Sequence, residues 1–142
     1  SKGYYNSIAF HRDLALKKIQ KNKLFLKGKT TKWNYLEECN YIYGMLSPFG
    51  WGEICYRDFE ASLGGNLLLK PSMDHIDTWP NIYTEDCYLK LDWDFSNLDI
   101  INEIFSNEKL IYDRIMKSRM IYLEAINNSE ERLENMLFGL YS

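Results

Sequence analysis

Three charged side chains stand at a spacing that can do chemistry: Glu53, Arg57 and Glu60, in the stretch "GEICYRDFEA". On a helix that begins at Glu53 they fall at i, i+4 and i+7, on one face. The preceding loop, "PFGWG", carries Gly50 and Gly52, which let backbone approach a ligand closely. Free amide N–H groups at the helix start, with the positive end of its dipole, favour a phosphate. A carboxylate further along can accept two hydroxyl protons, as a sugar diol requires. Loop, helix start and carboxylate together suit a phosphorylated sugar. The plainer alternative is an exposed Glu53–Arg57 ion pair worth about 0.3–0.5 kcal/mol.

Other groups are candidates of lower information. "MDHIDTWP" gathers Asp74, His75 and Asp77. Hard divalent cations accept such oxygen ligands, but with one imidazole and no second cluster a ligand-facing loop is the better reading. There, His75 would donate to a phosphate or a sugar hydroxyl. The bland alternative is a capped turn anchored by Trp79. Lys70 ends the apolar run "NLLLK", either at a phosphate or as a snorkelling surface lysine. His11 and Arg12 receive no role beyond a solvated or interdomain face. With only His11 and His75 as histidines, no Ser-His-Asp or Cys-His arrangement can be argued. The cysteines at 39, 55 and 87 form no C-x-x-C pair, so neither a disulfide framework nor a zinc site is expected.

The elements that must position these groups alternate. A helix is predicted over 4–21, a strand over 23–28, and a helix over 34–40 with Asn34 and Glu37 as a capping box. A strand follows over 41–47, then a helix from Glu53 to Leu63 with Gly64 as terminator. Its sheet-facing side is expected to be Cys55, Phe59, Ser62 and Leu63. A strand buried on both faces covers 66–70, a loop 71–83 and a fourth strand 87–92. Helices follow over 96–105, opened by Ser96 and Asp99, then 108–126 and 129–138. This order predicts an α/β domain with a parallel sheet of about four strands. Ligands on such sheets bind at the carboxyl ends of the strands, here the loops 47–53 and 71–80.

Composition sets the outer limits. A chain of 142 residues with 46% hydrophobic and 26% charged residues fits one globular domain. Residues 1–35 hold nine Lys/Arg against one acid, a net +8; residues 36–142 hold eight against nineteen, a net −11. The acidic majority would repel a nucleic-acid backbone, and most aromatics sit next to aliphatics at strand or helix spacing, so the aromatic 15% is expected in the core rather than stacked on bases. The basic start could meet an anion, a membrane or an acidic partner. No apolar run approaches the ~20 residues that span a bilayer, and the opening decapeptide lacks the apolar core of a signal peptide. A cytoplasmic location, or one peripheral to a membrane, is the expectation.

"SPFGWGEICYRDFEASLGGNLLLKP" resembles the carboxyl-terminal, nucleotide-sugar-binding domain of group-1 glycosyltransferases of the GT-B fold. The carrying pieces are Ser47–Pro48, Phe49–Gly50, the R-x-F-E-A form at Arg57–Ala61, and Gly64–Gly65 before Leu67–Leu69. Upstream, "LFLKG" with "YLEECNYIYGMLSP" is similar to the preceding unit of that domain, and the likeness extends over residues 23–125. The resemblance implies a partial Rossmann-like domain and transfer of a sugar from a nucleotide-sugar to a glycan, lipid or protein acceptor. It implies no cofactor and no bound metal. By it, Glu60 would hold the ribose hydroxyls and Glu53 the donor sugar, with N–H groups near Gly52 at the diphosphate. Arg57 would neutralise phosphate or orient Glu60. Glu53 and Arg57 are thus the candidate catalytic pair; Glu60, Gly50, Gly52 and Ile54, with Lys70 and His75 from the residue reading above, are the candidate substrate-binding set. Two departures stand out. Glu53 and Glu60 have six residues between them where the family often has seven, and position 52 is glycine. The acceptor-binding amino-terminal domain and the first one or two βα units have no counterpart in the chain. It is therefore expected to be a truncated or split product that needs an amino-terminal partner for turnover, or else a non-catalytic nucleotide-binding or interaction module.

Overall fold

The computed structural model describes residues 6–28 and 30–141. Three parallel strands form its centre: β1 (Gly44–Leu46), β2 (Leu67–Pro71) and β3 (Tyr88–Leu91), in the order β1-β2-β3. Met45 pairs with Leu68, and Leu69 with Leu89. Every residue of β2 is buried, which explains the unbroken Leu-Leu-Leu run of the central strand.

Side chains alternate between two cores. Leu67, Leu69, Leu89 and Leu91 share one with Ala15 of α1 (Asn6–Ile19) and Ile101 of α4 (Ile100–Phe105). Leu68 and Tyr88 share the other with Met45 and with Ala61 of α3 (Tyr56–Gly64), against Ile121 and Tyr122 of α5 (Glu108–Asn127). Ser62 and Ser118 hydrogen-bond at 2.7 Å between α3 and α5. Gly44 is required by this packing, because a Cβ there would lie 2.9 Å from the Leu67 carbonyl oxygen and 3.3 Å from Phe105. Two further helices complete the chain, α2 (Lys32–Glu38) and α6 (Ser129–Tyr141).

Several expectations are corrected. Residues 23–28 form turns and bends rather than a first strand, leaving three strands among the described residues where about four were expected. Leu24 and Leu26 are exposed and only Phe25 of this stretch packs against the core. Thr31, not Asn34, caps α2: its side chain accepts the Asn34 N–H. Gly64 is the last residue of α3, and Gly65 is the left-handed cap, with φ +79°. The helix expected from 96 starts at Ile100, because Asp92, Ser96 and Asn97 hydrogen-bond among themselves to close a turn. The predicted start of the first helix at residue 4 lies outside the described residues.

Candidate functional site

The loops at the carboxyl ends of the strands are built around one buried carboxylate. Helix α3 begins at Tyr56 behind the cap residue Cys55, not at Glu53. That shift places Asp58, Ala61 and Ser62 toward the sheet, while Leu63 is exposed. Asp58 accepts from Ser47 Oγ at 2.5 Å, Tyr83 Oη at 2.8 Å and the Cys55 N–H at 3.0 Å. Lys70 Nζ lies 3.0 Å from its Oδ2 and 3.1 Å from its Oδ1, with both side chains 0% exposed. Lys70 also donates to the Ser47 carbonyl at 3.4 Å and sits 5.2 Å from the centre of the Phe49 ring. Lys70 is therefore neither at a pocket edge nor snorkelling: a carboxylate on the facing helix holds it inside. Burial, and then the negative charge of Asp58, push the Tyr83 phenol well above its ordinary range.

A second buried group ties α1 to the same loops. His11 Nδ1 accepts the Phe49 N–H at 2.9 Å, so Nε2 carries the proton donated to the Trp93 carbonyl at 2.8 Å. Its ring is flanked by Phe49, Trp93 and Phe95 at centroid distances of 4.8 to 5.1 Å. Phe95 takes a φ of +58° on the turn that buries its ring there. Burial lowers the His11 pKa, and the nearby Lys70 charge lowers it further against the raising effect of the Trp93 bond. His11 is thus a structural tie, not a solvated residue.

Above this base, Glu53 and His75 meet. Their side chains, from the loops after β1 and β2, approach to 2.8 Å while staying partly exposed. Both line a cleft of about 840 Å³ that runs past Lys90, Trp93 and Arg114 along the outer edge of β3. Lys90 pairs with Asp74 at 2.9 Å, which with a Ser72 contact holds the Asp74 carboxyl below its usual range. Arg114 donates to the Tyr88 carbonyl at 2.9 Å, and its Nε is buried without a hydrogen-bond partner. Among the described residues, no three His, Cys, Asp or Glu side chains are grouped to hold a metal ion.

The remaining candidates lie elsewhere. Glu60 is exposed on α3 and accepts from Tyr35 Oη at 2.7 Å. Burial first, then that bond, raise the Tyr35 phenol to about 12. Arg57 is exposed and donates to the Leu46 carbonyl at 3.3 Å. Glu53 precedes the helix, so it does not share the helical face of Arg57 and Glu60, and Glu60 does not line the Glu53–His75 cleft. The Arg12 guanidinium lies against Gly50, where any Cβ would collide with it. Gly52 and Ile54 are exposed. Asp58, Tyr83, His11, Trp93 and Arg114 were not singled out from sequence as site residues. A lysine within an apolar strand was the available signal, since a buried ammonium demands a carboxylate.

No protein-family model, curated protein or solved structure matches the chain. Among the described residues, no helix is long and apolar enough to cross a membrane.

Proposed function

We propose that this chain is the donor-binding part of a glycosyltransferase, holding a nucleotide-sugar whose sugar passes to a glycan, lipid or protein acceptor. The observation that carries the reading is the Glu53–His75 bond, which joins two loops at the carboxyl ends of parallel strands beside an open cleft. The cleft has the size of a small-molecule site. Glu53 and His75 would meet sugar hydroxyls, and Lys90 and Arg114 would supply positive charge for the diphosphate. Glu60, with Tyr35 beside it, and Arg57 lie outside this cleft, so the ribose and phosphate roles that the resemblance implies for them form no part of this reading. In the reaction, the bond from C1 of the sugar to the diphosphate oxygen breaks and the acceptor oxygen bonds C1. The acceptor proton leaves to a base, and the departing diphosphate is stabilised electrostatically. The three strands would then be part of a GT-B carboxyl-terminal domain, with the acceptor held by an amino-terminal domain or subunit.

A second reading is a non-catalytic nucleotide-binding or interaction module. The large exposed side chains Trp33, Tyr41, Trp51 and Tyr56 favour it, as a surface for a partner. Calorimetric titration with UDP-, GDP- and ADP-sugars tests the first reading. At least one should bind saturably, and Glu53→Gln should weaken it about tenfold by loss of charged hydrogen bonds. No heat with any of the three, or equal affinity for the variant, contradicts it. Transfer on adding an amino-terminal partner separates enzyme from module.

A further inference from the structure

The Asp58 carboxylate has all its acceptor sites filled: Ser47 and Lys70 on Oδ1, and Tyr83, Cys55 N–H and Lys70 on Oδ2. Those donors come from different places. Ser47 and Cys55 bracket the loop that carries Glu53, and Tyr83 belongs to the connection between β2 and β3 that carries His75. Lys70 is on β2 itself. One buried anion therefore fixes both loops to the same strand. From this geometry we infer that Asp58 is a positioning residue for the site, setting the register of the two loops so that Glu53 and His75 meet. Its bearing on nucleotide-sugar binding rests on the reading above; its bearing on the Glu53–His75 pair does not.

The chemistry of the hub makes the inference specific. An asparagine at 58 has one oxygen and one amide nitrogen. With the nitrogen at the Oδ2 position it faces the Cys55 N–H, which cannot reverse. With the nitrogen at the Oδ1 position it faces the Lys70 ammonium, which cannot reverse either. Either orientation sets a donor against a donor, and both leave the buried Lys70 ammonium without a countercharge. Removing the ammonium as well lifts the conflict: the amide oxygen then serves Cys55 and Tyr83, and the amide nitrogen donates to Ser47 Oγ. Asp58→Asn should thus uncouple the loops, and Asp58→Asn/Lys70→Met should restore them. Tyr83→Phe keeps the ring, removes one of the donors, and leaves the ion pair to hold the fold.

The test reads the pair directly. In the otherwise unchanged chain, Glu53→Gln should move the His75 imidazole NMR signals. On the Tyr83→Phe background that movement should shrink, on Asp58→Asn it should vanish, and on Asp58→Asn/Lys70→Met it should return. Nucleotide-sugar affinity should follow the same order, with Tyr83→Phe about tenfold weaker. An undiminished movement in folded Tyr83→Phe overturns the positioning role even if melting temperature falls, because a purely structural residue would alter stability alone. A double variant that folds but does not recover the movement overturns it as well. The imidazole readout needs no ligand, so a chain that binds no nucleotide-sugar defeats the donor reading while this arm still decides the role of Asp58.

Discussion

The buried Asp58–Lys70 pair makes an asymmetric prediction about stability. Both side chains are fully buried, so removing either partner leaves an uncompensated charge. The general cost is about 3–5 kcal/mol, a large part of the roughly 5–15 kcal/mol that holds a domain together. The two halves are not equal. After Lys70→Met, Asp58 keeps Ser47, Tyr83 and the Cys55 N–H. After Asp58→Asn, Lys70 keeps its charge with the Ser47 carbonyl at 3.4 Å and the Phe49 ring. Asp58→Asn should therefore be the worse change. At about 4 °C per kcal/mol for a chain of this size, it should lower Tm by roughly 12–20 °C, with Lys70→Met near or below the lower figure. The double variant should be more stable than Asp58→Asn alone, with a coupling of about 2 kcal/mol or more. Urea denaturation of all four proteins gives the cycle. Costs that simply add, or Lys70→Met as the worse single change, would refute the reasoning.

Other expectations follow from individual contacts. His11 is neutral in the fold and its pKa is lowered, so the unfolded chain binds its proton first. Its stabilising contribution is whole above pH 6.5 and declines as pH falls through the lowered value. His11→Gln can keep both hydrogen bonds without titrating, so the loss of Tm on acidification from pH 7 should be smaller in that variant. Gly44→Ala should cost about 1–3 kcal/mol, read by urea denaturation, because the new methyl meets a β2 carbonyl and Phe105. Glu60→Gln should lower the Tyr35 phenol pKa from about 12, since Glu60 is the second cause of its elevation. Difference ultraviolet titration against Tyr35→Phe reads that shift.

The sequence made the central strand legible through its uninterrupted Leu67–Leu69 run, and the parallel sheet through the helix–strand alternation. It placed the crest loops after β1 and β2 correctly because topology alone decides where they gather. Helix boundaries were less legible. The acid–base–acid spacing counted from Glu53 is equally compatible with a helix that starts three residues later, and tertiary packing chose Cys55 as the cap. That choice turned Asp58 inward and left Glu60 outside. Lys70 was misread because a lysine at a strand end is usually a surface group, and its partner twelve residues back had no local mark. His11 could not be placed at all from sequence. Its two bonds are to backbone groups 38 and 82 residues away, which no local pattern encodes.

Amide chemical-shift mapping during titration with a nucleotide-sugar tests the donor reading most directly. Perturbations should gather at Gly50, Gly52 and Glu53, at His75, and along the cleft at Lys90 and Trp93. A spectrum that stays unchanged at saturating ligand, or one that moves only at residues remote from these loops, would contradict it.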